Sequence, residues 1–99
     1  MAGKSERIAI ENVLQPGKTY PVDAAKFNAM REAVLAVLPD AAPGVTVPKL
    51  KEAVLPRLPE SLFPGGDKAG WWIKAVQLDL EAKGVVARAP SAPVRLHRT

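Results

Sequence analysis

The sequence predicts a single α+β domain over residues 1–99, in which three helices lie between two short β-hairpins. Two stretches, 23–38 and 67–83, each begin at an aspartate and carry apolar residues at helical spacing. A third and shorter helical stretch follows Thr46, with a proline in its first turn. The segments near both chain ends instead alternate apolar and polar residues beside proline-containing turns, which is typical of strands.

The N-terminal hairpin is predicted from a strand, a turn and an extended segment. Residues 1–6 are expected to be frayed, and a strand is predicted over 7–13. Pro16 and Gly17 suit the two central positions of a type II turn. The segment 19–22 that follows contains a proline, so it is predicted as an edge strand.

The first two helices are bounded by caps and prolines. Asp23 is the predicted N-cap of a helix that ends at Leu38, because the residue before a proline is excluded from the α region. The second helix begins after Thr46, and Pro56 ends or kinks it. Residues 40–45 between the two helices are predicted as a loop. The predicted core positions of these helices are Phe27, Met30, Val34, Leu38, Leu50 and Val54.

The central helix is predicted over 67–83, with Asp67 as N-cap and Gly84 as the left-handed residue after its end. One apolar stripe is expected to face the core. It consists of Ala69, Trp72, Ile73, Val76 and Leu80. A second apolar stripe lies on the other side of the helix, so a neighbouring segment or a partner must cover it. It consists of Trp71, Ala75, Leu78 and Ala82.

A C-terminal hairpin is predicted from 85–89, a turn at 90–93 and a strand at 94–98. The formal net charge is +4, and charges in residues 1–81 cancel, with ten basic and ten acidic side chains. The surplus therefore lies in 82–99. Its members are Lys83, Arg88, Arg95 and Arg98. An acid-free basic segment favours a polyanionic partner, although cations on an exposed hairpin also serve solubility.

Three helices followed by a hairpin is the order of a winged helix-turn-helix. The junction LEAKGVVAR at 80–88 resembles the boundary between recognition helix and wing in that superfamily, where the glycine caps the helix. The runs GGDKAGWWIKAVQLDLEAKG and PGKTYPVDAAKF resemble, more narrowly, a small bacterial family of uncharacterised winged-helix-like domains. That resemblance implies a fold and carries no activity. One departure is the long connector 56–66, where a helix-turn-helix has a short turn.

The superfamily resemblance implies binding of nucleic acid, most simply duplex DNA, with transcriptional regulation as one use. The central helix would face base edges and phosphates, and the wing would contact phosphates. The residues predicted for these contacts are Lys68, Lys74, Gln77, Arg88, Arg95 and Arg98. The alternative is that these side chains form an ordinary solvated surface, which Glu81 on the same strip favours because it would repel phosphate.

The rival function is a protein-interaction module on the same scaffold, without DNA binding, acting on a protein partner or forming a homodimer. Trp71 and Leu78 of the second stripe are the predicted interface residues, since tryptophan is enriched at interfaces. If the chain itself covers this stripe, Leu62 and Phe63 of the connector are the expected cover.

Other functional classes find little support in the sequence. There are no cysteines, and His97 is the single histidine, so thiolate and multi-histidine metal sites are not expected. No nucleophile motif or phosphate-binding glycine loop occurs, so neither an enzyme nor a cofactor is predicted. No segment approaches the roughly 18 apolar residues of a membrane span or resembles a signal peptide. We therefore expect no membrane partner and a cytoplasmic location.

Overall fold

The computed structural model describes residues 6–89 and 93–99. It is an α+β domain with three helices and two small antiparallel sheets. Residues 1–5 of the predicted frayed segment 1–6, and residues 90–92 of the predicted turn, lie outside the described residues. The helices are α1 (Ala24–Val37), α2 (Val47–Val54) and α3 (Ala69–Ala82). The strands are β1 (Arg7–Glu11), β2 (Thr19–Asp23), β3 (Val45–Thr46), β4 (Val86–Arg88) and β5 (Arg95–Arg98).

The predicted N-terminal hairpin is confirmed. Strands β1 and β2 pair antiparallel, with Ile10 opposite Tyr20. The turn closes through a bond from the amide of Lys18 to the carbonyl of Gln15, 3.2 Å long. Gly17 has φ of +84°, the left-handed conformation that a type II turn needs at this position.

Helices α1 and α2 follow their predicted boundaries. Asp23 is the N-cap of α1, and its carboxylate accepts a 3.0 Å hydrogen bond from the amide of Lys26. The helix ends at Val37, with Leu38 as an extended C-cap before Pro39. Thr46 occupies the N-cap position of α2, but its hydroxyl makes no capping bond. Helix α2 tightens into a 3-10 turn at Leu55–Arg57, which contains the predicted Pro56.

The start of α3 differs from the prediction, and its end agrees with it. Asp67 is not the N-cap: Lys68 holds that position in the left-handed conformation, at φ 58° and ψ 20°. That backbone turn delays the helix to Ala69, and no side chain caps its first amides. At the other end, the amides of Gly84 and Val85 donate to the carbonyls of Glu81 and Leu80, at 3.2 and 2.9 Å. These two bonds form a Schellman motif.

The second sheet contains a strand that the sequence did not predict. Its order is β3–β5–β4, so β5 is central and pairs with the segment before α2. This pairing depends on Gly44, which has φ of +92°. A Cβ at this position would overlap the carbonyl oxygen of Leu96 in β5. The C-terminal hairpin is thereby tied to the connection between α1 and α2.

A shared hydrophobic core joins the three helices to both sheets. Trp72, Val76 and Leu80 are buried in it, as the first stripe of α3 predicts. The connector contributes Phe63, which is buried against the same core. Each predicted core position of α1 and α2 is also buried. These positions are Phe27, Met30, Val34, Leu38, Leu50 and Val54. The core therefore fixes which face of α3 remains outside.

Candidate nucleic-acid interface

The polar strip on the C-terminal half of α3 is occupied by a side-chain network centred on Glu81. Its carboxylate accepts hydrogen bonds from Nε and Nη2 of Arg88, at 2.7 and 2.9 Å. It also accepts a 3.0 Å bond from Nε2 of Gln77. The hydrogen bond from Glu81 raises the pKa of Arg88 above its ordinary value. Gln77 is itself buried, so two of the predicted nucleic-acid contacts are held within the chain.

The other C-terminal cations are also largely engaged. Nζ of Lys83 lies 2.9 Å from the buried carboxylate of Asp79. Nε of Arg98 donates a 3.2 Å bond to the carbonyl of Leu38 at the end of α1, where a cation suits the helix dipole. Arg95 is half-buried on β5 and takes part in no side-chain hydrogen bond or ion pair among the described residues. The surplus charge read from the sequence is therefore not a set of free phosphate contacts.

The N-terminal hairpin covers the C-terminal half of the second stripe of α3. The amide of Glu11 donates to Oδ1 of Asp79 at 2.8 Å, and the amide of Val13 donates to the carbonyl of Leu78 at 3.2 Å. Leu78 is consequently buried, so it is not an accessible interface residue. The first half of α3 stays open instead. Its exposed positions are Gly70, Trp71 and Lys74.

Trp71 is the one predicted interface residue that reaches solvent, with 55% of its surface exposed. The expected cover from the connector is wrong: Phe63 packs edge-on against Trp72, with ring centroids 6.4 Å apart. Trp72 in turn meets Trp71 edge-on, at 4.9 Å and 80°. The connector therefore supports Trp71 from behind, through Trp72, and leaves its outer side free.

Lysines lie around the first turns of α3, and three of them line grooves beside this indole. Lys26 of α1 and Lys68 line an open groove of about 540 Å³ together with Trp71 and Trp72. Lys74 adjoins Trp71 in a smaller groove beside Tyr20. Nζ of Lys51 lies 3.8 Å from where a Cβ would stand at Gly70, over the first turn of α3. Within the described residues the ion pairs are Lys83–Asp79 and Arg88–Glu81, so these four lysines carry unpaired charge.

A third groove adjoins the smaller one along the side of α3, because Lys74 and Leu78 line both. It has a volume of about 290 Å³, and Lys74 and the buried Leu78 form part of its wall. Leu14 of the N-terminal hairpin and Val94 of the C-terminal hairpin stand at its sides, 65% and 38% exposed. The open face of the molecule thus combines a cationic half around Trp71 with an apolar half around Leu14.

Two features of this face were missed by sequence reasoning. Lys26 and Lys51 lie on other helices, and only tertiary packing brings them beside α3. Asp79 anchors the N-terminal hairpin, a role that the sequence pattern did not predict. A carboxylate among apolar residues of a helix is the signal that could have revealed this role, because a buried charge requires partners.

Residues 6–89 and 93–99 offer neither a metal-binding cluster nor a membrane-spanning helix. They contain no group of three or more histidine, cysteine, aspartate or glutamate side chains placed to hold a metal ion. None of their helices has the length and apolar character needed to cross a membrane.

Comparison with known proteins places the chain in a family. Neither the curated proteins nor the solved structures contain a significant match. A family model does match, over residues 7–96, which include every helix and nearly all of both sheets. The chain therefore belongs to the family of unknown function DUF6958.

Proposed function

We propose that this chain is a winged-helix domain that binds duplex DNA through the N-terminal half of α3 and the lysines around it. The winged-helix assignment is supported by the order of the elements: three helices followed by the β4–β5 hairpin. It is also supported by β3, which pairs with β5 and so ties that hairpin to the helical part. The connector 56–66 is long for a helix-turn-helix, but its buried Phe63 holds it against the core.

The observation that carries the DNA proposal is an exposed tryptophan at the start of α3, together with four nearby lysines that form no ion pair within the described residues. Lys26, Lys51, Lys68 and Lys74 come from three separate segments and converge on the first turns of α3. A cluster of unpaired cations attracts a polyanion and releases its counterions. Recognition helices contact DNA mainly with their N-terminal residues. In this chain the N-terminal half of α3 is the half that is exposed.

The geometry divides the contacts between two roles. Lys74 lies on the exposed side of α3, where it would reach base edges in a groove. Lys26, Lys51 and Lys68 lie around the helix start, where they would neutralise phosphates. The N-terminal hairpin stops α3 from entering a groove beyond about its second turn, since it lies against Leu78 and Asp79. With few contacts, we expect weak binding that depends strongly on salt.

The test is binding of a short random-sequence duplex across a salt series, for the wild type and for two double variants. Replacing Lys51 and Lys68 with Ala should lower the log–log salt slope by up to about 1.8, at about 0.9 for each lost phosphate contact. The control replaces Arg31 and Arg57, both exposed and outside this face, and removes the same charge. An equal loss in the two variants, or no duplex binding by the wild type, would contradict the proposal.

A protein-interaction role is the second candidate, and one observation favours it. Leu14, Trp71 and Val94 are three of the four large apolar side chains most exposed among the described residues, and all three line connected grooves. Neighbouring exposed apolar side chains often mark a protein interface. Sedimentation of the wild type and of Leu14→Asp tests it: self-association that Leu14→Asp abolishes, with duplex binding absent, would place this role first.

A further inference from the structure

We infer that the groove between α1 and α3 binds an unpaired base of a DNA strand, stacked on Trp71 with its flanking phosphates at Lys26 and Lys68. This inference rests on the proposed function and adds a preference within it: single-stranded over fully paired DNA. Among the described residues the groove is lined by two indoles and two lysines, and by no acidic side chain.

The aromatic part of the groove suits a flat ring. Trp72 is only 8% exposed, whereas 55% of Trp71 is exposed, so the accessible indole surface belongs to Trp71. The edge-on contact at 4.9 Å holds Trp71 against a buried ring, and Phe63 supports that ring from the connector. An indole fixed in this way loses little conformational freedom when a base stacks on it, and stacking tolerates any base sequence.

The charged part of the groove suits the backbone of the same strand. Lys26 lies in the first turn of α1 and Lys68 lies directly before α3, so the two ammonium groups flank the indoles from different elements. The carboxylate of Asp23, in the adjoining groove, accepts a hydrogen bond from the amide of Lys26. Cations beside an exposed aromatic ring are the combination by which proteins bind single strands.

A base inside a duplex does not offer this arrangement. Its two faces are covered by neighbouring bases, so an indole can reach a face only where the base is unpaired or at a strand end. Phosphate contacts alone would make no such distinction. The prediction is therefore specific to Trp71: removing the indole should weaken single-strand binding much more than blunt-duplex binding.

The experiment compares three probes of one length: a single strand, the blunt duplex of the same sequence, and a strand with abasic sites at its centre. The wild type should bind the intact strand more tightly than the duplex and quench tryptophan fluorescence on binding. Trp71→Ala should weaken strand binding about 5- to 150-fold, the effect of one stacked base, and change duplex binding little. Removing the bases from the probe should have the same effect as removing the indole. The affinity of the wild type for the abasic strand should therefore be about as low as the affinity of Trp71→Ala for the intact strand.

Two further variants keep the test independent of folding. Trp71→Phe retains a ring and should restore part of the strand affinity, while circular dichroism checks that each variant is folded. Lys68→Ala should weaken both intact probes, and Arg57→Ala should weaken neither.

Three outcomes would contradict this inference, and they differ in what they imply for the proposed function. Duplex binding that depends on Lys68, without a strand preference or an effect of Trp71→Ala, would overturn this inference and leave the proposed function standing. Absence of binding to every probe would overturn both. A further probe is an acidic peptide that contains phenylalanine and carries the same net charge as the strand. If the wild type binds this peptide more tightly than the strand, the groove is a site for a protein partner and the single-strand inference is overturned.

Discussion

Glu81 holds Arg88 through two hydrogen bonds, from Nε to Oε1 at 2.7 Å and from Nη2 to Oε2 at 2.9 Å. The pair joins the end of α3 to strand β4. It also pairs the charge of Arg88, which the sequence predicted as a phosphate contact, with a carboxylate of the same chain. Because Glu81 is largely buried beneath it, the guanidinium cannot turn outward without leaving a carboxylate unpaired. This relationship moves the candidate interface from the C-terminal hairpin to the start of α3.

The first prediction concerns this pair. Arg88→Ala should leave the salt slope of duplex binding nearly unchanged, because its guanidinium is already paired. Lys51→Ala should lower that slope by up to about 0.9, since Lys51 is assigned a phosphate contact and forms no ion pair within the described residues. Glu81→Gln should strengthen binding by releasing Arg88. A slope that falls as much in Arg88→Ala as in Lys51→Ala would show that Arg88 leaves Glu81 on binding.

The second prediction concerns Lys68, a non-glycine residue at φ 58°. Lys68→Gly should raise the free energy of unfolding by up to about 1 kcal/mol, because glycine adopts this conformation without the steric cost of a Cβ. It should also weaken duplex binding, since the ammonium group is lost. Lys68→Ala is the matched control: it should weaken binding equally while leaving stability unchanged. Denaturant unfolding and the duplex titration measure the two effects, and a Lys68→Gly variant that binds as well as wild type would contradict the assigned role.

The third prediction concerns Asp79, whose side chain is 1% exposed. Asp79→Ala should lower the free energy of unfolding by about 1–3 kcal/mol, because the amide of Glu11 loses its acceptor. Hydrogen exchange at the amides of Glu11 and Val13 should accelerate. Asp79→Asn keeps an oxygen acceptor of the same reach and should retain more of this protection. Equal exchange rates in the two variants would mean that the hairpin is held by other contacts.

The fourth prediction compares two glycines that both have positive φ. At Gly84, with φ of +75°, no atom lies within 4 Å of an added Cβ, so Gly84→Ala should lose only about 1–2 kcal/mol through backbone conformation. At Gly44 an added Cβ would meet the backbone of Leu96, so Gly44→Ala should lose more and should release β3 from β5. Unfolding free energies and exchange at the β5 amides measure this. Equal losses at the two positions would contradict the assigned strand pairing.

The local ends of the helices were determined by the sequence itself. Asp23 caps α1, Pro39 follows its end, and Gly84 closes α3 in a Schellman motif, because each interaction involves residues within about one helical turn. The core stripe of α3 was equally predictable, since helical geometry fixes which residues share a face. The turn at Gly17 follows from the same kind of short-range constraint.

What only the tertiary structure decided depends on contacts between residues far apart in the chain. Strand β3 is two residues long and exists because Gly44 admits the backbone of Leu96, which no local pattern in 40–45 indicates. Asp79 finds its partner at Glu11, sixty-eight residues away, and the hairpin placed there buries Leu78 and leaves Trp71 open. Charge was misread for the same reason. A sequence counts cations, but whether each is paired depends on which side chains the fold brings within hydrogen-bonding distance. Here folding paired Arg88, and it left Lys26, Lys51, Lys68 and Lys74 around the first turns of α3 without an ion pair among the described residues.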